Sequence, residues 1–134
     1  LIQRARPYIY STASPPALAH ALLTSLTIIS GEEGTRRRAV LNERIDQWKS
    51  AVNLKHWQLL DSETPIQPVL IGDNARTMAA AQQLREHGFW VGSVRPPTVP
   101  LGTARLRVTL SAAHTHDQVA QLAAQVNALE VAQS

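Results

Sequence analysis

The stretch RPPTVPLGTARLRVTLSAAHT, residues 95–115, joins a proline-rich loop to a run of alternating apolar and polar side chains. Three prolines and one glycine constrain the loop, because proline fixes φ and glycine alone adopts positive φ without cost. Every second side chain of the following run is apolar: Leu106, Val108 and Leu110. Since successive side chains of a strand point to opposite faces, this run predicts a half-buried strand with Arg105, Arg107 and Thr109 on its open face.

Two further strands and two helices are predicted around this strand. Ile66 to Ile71 and Phe89 to Val94 have the composition of strands, and a helix from Ala75 to Glu86 lies between them. Thr115 and Gln118 form a capping box that opens a last helix. The order β-α-β-β-α is a split βαβ unit, in which a right-handed crossover can place the third strand between the other two. The predicted fold class is therefore α/β (α+β), with a three-stranded, mainly antiparallel sheet covered by helices.

The covered face of this sheet follows from the same patterns. The last helix carries one apolar stripe, formed by Val119, Leu122, Ala123, Val126 and Leu129. We expect it to pack, with the preceding helix, on the sheet face that carries Leu106. Pro68 indicates an edge position for the first strand, because proline cannot donate to a ladder.

Two helices are predicted before the sheet. After a short extended piece from Tyr8 to Ser11, a helix from about Pro16 to Ile29 is apolar on nearly every side, which indicates burial against protein on more than one side. A second helix, from roughly Glu33 to Leu54, is amphipathic and has one apolar stripe: Leu41, Ile45, Trp48 and Val52.

Composition excludes several classes of function. The chain has 134 residues, 44% of them apolar, and no apolar run of the roughly 18 residues that a membrane span needs. It has no cysteine, hence no disulfide framework or thiolate chemistry, and the cytoplasm is the expected compartment. The net charge is +3, but the densest cluster, residues 36–38, follows two glutamates and fits a solvated helix face better than a nucleic-acid site. The histidines lack metal-ligand spacing, so no metal site is predicted.

The proline loop and the arginine strand resemble the C-terminal signature of the pyridoxal-phosphate-dependent α-oxoamine synthases. These enzymes condense an amino acid with an acyl thioester and release carbon dioxide. Two further segments support the resemblance: RPYIYSTASPP at residues 6–16 and PIQPVLIGDN at residues 65–74. The resemblance implies a homodimeric fold-type-I enzyme, in which residues 1–30 end the large cofactor-binding domain and residues 31–134 form the C-terminal small domain.

Within this family, the RPPTVP loop and the YSTA segment suit the biotin-pathway member, which joins L-alanine to a pimeloyl thioester carried by coenzyme A or acyl carrier protein. Members that use glycine or serine are the nearest alternative. A free-standing ferredoxin-like binding module is a different alternative, either a small-molecule regulatory domain or an RNA binder. An RNA-binding sheet would show aromatic side chains on its open face, whereas this face carries arginines and threonine.

The resemblance also implies roles for four residues. Arg107 would hold the α-carboxylate of the amino-acid substrate, since a guanidinium fork matches a carboxylate with two hydrogen bonds. Thr98 would contact substrate from the proline loop. Ser11 and Thr12 would reach the phosphate of the partner subunit's pyridoxal phosphate, as small hydroxyls and backbone N–H groups suit phosphate oxygens. Ser14 departs from the leucine or methionine frequent in the family.

Other polar residues are interpreted as structural. Arg105 is expected to pair with an acid of the large domain, Arg95 to lie exposed at a strand end, and His114 to support the start of the last helix.

The family's cofactor-binding lysine motif has no counterpart in this sequence. Lys49 and Lys55 are its only lysines, and both are expected to be solvated. No catalytic residue is therefore predicted in this segment. Because the chain begins at Leu1 in mid-pattern, it is interpreted as the C-terminal third of a longer enzyme, inactive by itself.

Overall fold

The structure is a computed structural model that describes Arg4 and residues 6–132. It divides into two compact units, the first ending at Arg36 and the second beginning at Arg37. The assignment of residues 1–30 and 31–134 to two domains of a larger enzyme stays a prediction.

The first unit contains a short helix, α1 (Arg6–Ile9), a longer helix, α2 (Pro16–Ser30), and the start of α3 (Glu32–Ala51). The prediction of an extended segment from Tyr8 to Ser11 is wrong for its first two residues, which belong to α1. The backbone N–H of Tyr10 donates to the carbonyl of Arg6 at 3.4 Å, which closes a helical turn. Pro7 is compatible with that turn, because the first N–H groups of a helix have no intrahelical acceptor in any case.

Helix α2 begins at the predicted proline, and its apolar side chains are exposed. All its residues are described and none is buried; Leu22, Leu23 and Leu26 are each more than half exposed. Its predicted burial against other protein stays a prediction.

The corner between α2 and α3 depends on a glycine. Gly34 is buried, and a Cβ added to it would lie 2.1 Å from the carbonyl oxygen of Ile29. Only glycine allows the two backbones to approach this closely.

The second unit is built on a four-stranded antiparallel sheet. Its strands are β1 (Gln58–Leu59), β2 (Ile66–Gly72), β3 (Gly92–Val94) and β4 (Ala104–Thr109), in the order β1-β2-β4-β3. The predicted place of β4 between the two other strands is confirmed. Strand β1 was not predicted, because two residues are too short for a periodic pattern.

The edge position predicted from Pro68 is wrong, since β2 lies between β1 and β4. The backbone N–H of Leu60 donates to the carbonyl of Pro68 at 3.0 Å, so the missing N–H of Pro68 also faces the β1 side. Strand β1 ends at Leu59, and the ladder there is too short for the missing donor to matter.

Helices α4 (Asn74–Glu86) and α5 (His116–Ala132) complete the second unit. The predicted stripe of α5 is buried throughout, and so is the predicted face of β4: Leu106, Val108 and Leu110. Ile45 and Trp48 of α3 join the same core. The capping box is confirmed, with the N–H of Thr115 donating to Gln118 Oε1 at 2.9 Å and the N–H of Gln118 to Thr115 Oγ1 at 3.2 Å.

Hydrogen bonds tie α3 to both ends of α5. Arg44 Nε donates to the carbonyl of His114 at 3.1 Å, and Asn127 Nδ2 donates to the carbonyl of Ala51 at 3.0 Å. The buried Glu130 carboxylate accepts the backbone N–H groups of residues 55–57. These contacts hold the helices around the sheet and leave its other face open.

In the part of the chain that the structure describes, the helices are too short or too polar to cross a lipid bilayer.

Candidate functional site

An open groove of about 460 Å³ lies where β3 runs into the proline loop. Its lining comes from the end of β3, the first half of the loop and one side chain of β4: Gly92, Ser93, Val94, Arg95, Pro96, Pro97, Thr98 and Arg107. The peptide bond between Pro96 and Pro97 is cis. The groove thus brings together Arg107 and Thr98, the two residues for which the resemblance implied substrate contacts.

Arg107 reaches the groove from the exposed face of β4. It pairs with Gly92 of β3, and a Cβ added to Gly92 would lie 3.7 Å from Arg107 Nε and 3.9 Å from Nη2. The Arg107 side chain therefore runs along the backbone of β3. Its guanidinium makes no hydrogen bond or ion pair with any described residue, so its planar set of donors is available to an anion.

Thr98 lines the same groove from the proline loop. Its backbone N–H donates to the carbonyl of Arg95 at 3.0 Å, which closes the turn of the proline loop. Its hydroxyl is exposed and has no hydrogen-bond partner among the described residues. The hydroxyl is therefore free for a ligand.

The two neighbouring arginines differ from each other. Arg105 is half-buried, and its Nε donates to the carbonyl of Thr103 at 3.0 Å, which fixes the end of the loop. Its pairing with an acid of a larger domain stays a prediction. Arg95 is exposed, as expected, and lines both the groove of Arg107 and a neighbouring groove beside α4.

Ser11 and Thr12 belong to the first unit. They lie in the segment between α1 and α2, both are exposed, and Ser11 Oγ donates to the carbonyl of Thr12 at 3.5 Å. Small hydroxyls and backbone N–H groups can donate to phosphate oxygens. Their role toward a cofactor stays a prediction.

The environments of the two lysines do not suit covalent attachment of pyridoxal phosphate. Lys49 lies on α3 with its Nζ 3.6 Å from the carboxylate of the exposed Asp61, and Lys55 is exposed in the loop before β1. A lysine that forms a Schiff base needs a desolvated or electropositive site that lowers its pKa. That neither lysine carries the cofactor stays a prediction.

His114 has a structural role. Its Nδ1 accepts the backbone N–H of Ser111 at 3.2 Å, and its carbonyl accepts from Arg44. These bonds fix the turn that leads into α5, as the sequence suggested.

No group of three or more His, Asp or Glu side chains among residues 6–132 has a geometry that could hold a metal ion.

Two groove residues were missed from the sequence, Gly92 and Ser93. A glycine and a serine at these positions do not by themselves indicate a binding site. They line the groove because of the register in which β3 pairs with β4. The length of the proline loop between the two strands was the one feature that could have placed Gly92 opposite Arg107 and Ser93 opposite Leu106.

The comparisons with known proteins agree on a family. The family model for aminotransferase class I and II matches residues 1–126. An 8-amino-7-oxononanoate synthase from Janthinobacterium sp. (strain Marseille) is 61% identical over 130 residues, which cover 97% of this chain and 33% of that protein. The chain thus spans about a third of the length of the curated relatives it matches.

Solved structures show the same relationship. A crystal structure of 8-amino-7-oxononanoate synthase from Francisella tularensis has a TM-score of 0.78 at 28% identity and covers 98% of this chain and 38% of that one. A serine palmitoyltransferase from Sphingomonas wittichii has a TM-score of 0.77 at 26% identity, covering 98% of this chain and 33% of that one.

Proposed function

The chain belongs to the aminotransferase class I and II family, and from this premise we propose that it is the C-terminal part of an 8-amino-7-oxononanoate synthase. The intact enzyme would condense L-alanine with a pimeloyl thioester, release carbon dioxide and yield 8-amino-7-oxononanoate for biotin biosynthesis. It would act as a homodimer in the cytoplasm, and this segment alone would be inactive. The identity of 61% to a relative of that name supports this member over others.

One structural observation carries the proposal: Arg107 and Thr98 line one groove, and neither the guanidinium nor the hydroxyl has a hydrogen-bond partner within Arg4 and residues 6–132. A guanidinium offers two parallel N–H donors to a carboxylate, which fixes the orientation of the amino acid as well as its affinity. The Thr98 hydroxyl adds a possible donor or acceptor from the proline loop that lines the same groove.

This segment would contribute orientation to the reaction. Two reactants held in a fixed geometry react far faster than free ones, because translational and rotational entropy is lost at binding and not in the transition state. Arg107 would fix the carboxylate end of alanine, and the stiff proline loop would border the acyl thioester.

Pyridoxal phosphate, bound in the intact enzyme, would supply the electron sink for chemistry at the α-carbon of alanine. Ser11 and Thr12 would contact its phosphate in the partner subunit's site. We assign the covalent attachment to neither Lys49 nor Lys55, because one is paired with Asp61 and the other is exposed.

A second candidate is another α-oxoamine synthase, favoured by the similarity in fold to serine palmitoyltransferase. The groove itself does not separate the two, since every amino-acid substrate of the family has an α-carboxylate.

A substrate matrix with the intact enzyme tests the proposal. Alanine, glycine and serine are each combined with pimeloyl-CoA, pimeloyl acyl carrier protein and palmitoyl-CoA, and release of free thiol and of carbon dioxide is measured. We expect alanine with a pimeloyl thioester to give the highest kcat/KM. A preference for serine with palmitoyl-CoA would instead establish the second candidate, and no turnover with any pair would refute both.

A further inference from the structure

We propose that Gly92 is a positioning residue for the amino-acid carboxylate, because its missing side chain leaves the space along β3 that the Arg107 side chain occupies. This inference rests on the proposed role of Arg107.

The geometry comes from the pairing of β3 with β4. Gly92 and Arg107 are directly opposed in the antiparallel ladder, and opposed residues project to the same face of a sheet. The three heavy atoms nearest to a Cβ added to Gly92 all belong to Arg107: Nε at 3.7 Å, Cβ at 3.9 Å and Nη2 at 3.9 Å. The Arg107 side chain is thus the nearest neighbour that a side chain at position 92 would meet.

The distances decide which substitutions matter. Contacts of 3.7 to 3.9 Å are ordinary van der Waals contacts, so a single methyl group fits beside the guanidinium. A longer side chain would carry its outer carbons into the same volume, and one of the two side chains would have to move.

Arg107 has little to resist such a displacement. Its guanidinium has no hydrogen bond or ion pair with the residues described in the structure, and it lies at the exposed side of β4. Its position before substrate arrives therefore depends on packing along the β3 backbone. A shift of about 1 Å in a positioning group is enough to lower catalytic efficiency by up to about a hundredfold.

The inference is tested in the intact enzyme with Gly92→Ala, Gly92→Leu and Gly92→Met. We expect the KM for alanine to rise with side-chain length, by about tenfold or more for leucine, while the KM for the pimeloyl thioester changes little. Calorimetric titration of L-alanine should show the same loss of affinity. Gln83→Leu, an equally large apolar substitution at an exposed position of α4, is the control and should leave both constants unchanged.

A double-mutant cycle separates positioning from other effects. If Gly92→Leu acts through Arg107, it adds nothing to the alanine KM of an Arg107→Ala enzyme. If Gly92→Leu raises the alanine KM by the same factor in the Arg107→Ala enzyme as in the wild type, the inference is wrong. It is also wrong if both Gly92→Leu and Gly92→Met have a normal alanine KM. If leucine prevents folding, as judged by the thermal midpoint, the more flexible methionine variant decides.

The same variants distinguish a failure of the role proposed for Arg107 from a failure of the role proposed for Gly92. An Arg107→Ala enzyme with a normal KM for alanine refutes the role proposed for Arg107. An impaired Arg107→Ala enzyme beside unimpaired Gly92→Leu and Gly92→Met enzymes refutes only the role of Gly92.

Discussion

The Glu130 carboxylate accepts a hydrogen bond from the backbone N–H of Trp57 at 2.6 Å. The same carboxylate accepts the N–H groups of His56 at 2.6 Å and Lys55 at 2.8 Å. Desolvation by burial acts to raise the pKa of Glu130, but these backbone hydrogen bonds outweigh it and hold the pKa below its ordinary value. Glu130 thus anchors the end of α5 to the loop that leads into β1.

Glu130→Gln should lower the free energy of unfolding of the intact enzyme's small domain by about 1.5–3 kcal/mol, the scale of a hydrogen bond to a charged group. An amide keeps one acceptor oxygen but turns an NH₂ group toward backbone donors. Urea denaturation followed by tryptophan fluorescence measures the change. Glu63→Gln, on an exposed loop, is the control, and an equal effect of both variants would contradict the anchoring role.

The depressed pKa of Glu130 also predicts an acid dependence. A carboxyl whose folded-state pKa lies below its ordinary value of 4.5 stabilises the fold above pH 4.5, and this contribution is lost as pH falls through the folded pKa. The difference in thermal midpoint between wild type and Glu130→Gln should therefore be full at neutral pH and shrink below about pH 4.5. A difference that does not change with pH would show that the charge of Glu130 is irrelevant.

Much of the second unit could be predicted from the sequence. The alternation in β4 gave the buried and open faces correctly, because a strand with one face on the core has a strict period of two. The capping box between Thr115 and Gln118 was equally predictable, since it depends on residues three apart in one helix turn.

The errors have tertiary causes. Pro68 is tolerated inside the sheet only because β1 ends at Leu59, which local sequence does not reveal. Glu130 follows Val126 by four residues and so lies on the buried stripe of α5, a position that its charge alone argues against. The groove required the register of β3 against β4, and register depends on the whole hairpin.

Gly34→Ala should lower the free energy of unfolding by about 1–3 kcal/mol, the usual cost of overpacking, because it crowds the corner between α2 and α3. The added Cβ would lie 2.1 Å from a backbone oxygen, which cannot rotate away as a side chain would. Thermal unfolding and hydrogen exchange of the α2 amides in the intact enzyme measure the effect. Gly92→Ala, whose added Cβ has no neighbour closer than 3.7 Å, is the matched control for stability. Equal midpoints for the two variants would contradict the close approach.

Neither Lys49 nor Lys55 should carry the cofactor in the intact enzyme. Borohydride reduction of the holoenzyme followed by peptide mapping should leave both residues unlabelled, because Lys49 is paired with Asp61 and Lys55 is exposed. Lys49→Arg and Lys55→Arg should likewise retain full cofactor content. Stoichiometric labelling of either lysine would place the attachment site within residues 1–134 and require a different account of the chain.

Arg107→Ala in the intact enzyme should raise the KM for alanine far more than the KM for the pimeloyl thioester. It removes a guanidinium that can bind a carboxylate with two hydrogen bonds, and the expected loss is about 2–4 kcal/mol in kcat/KM for alanine, the scale of truncating one partner of a charge pair that substrate binding desolvates. Arg107→Lys keeps the charge but not the planar fork, so it should recover only part of the loss. Arg76→Ala, an exposed arginine on α4 outside the groove, is the control. Equal effects of Arg107→Ala on both substrates would show that Arg107 does not bind the amino-acid carboxylate.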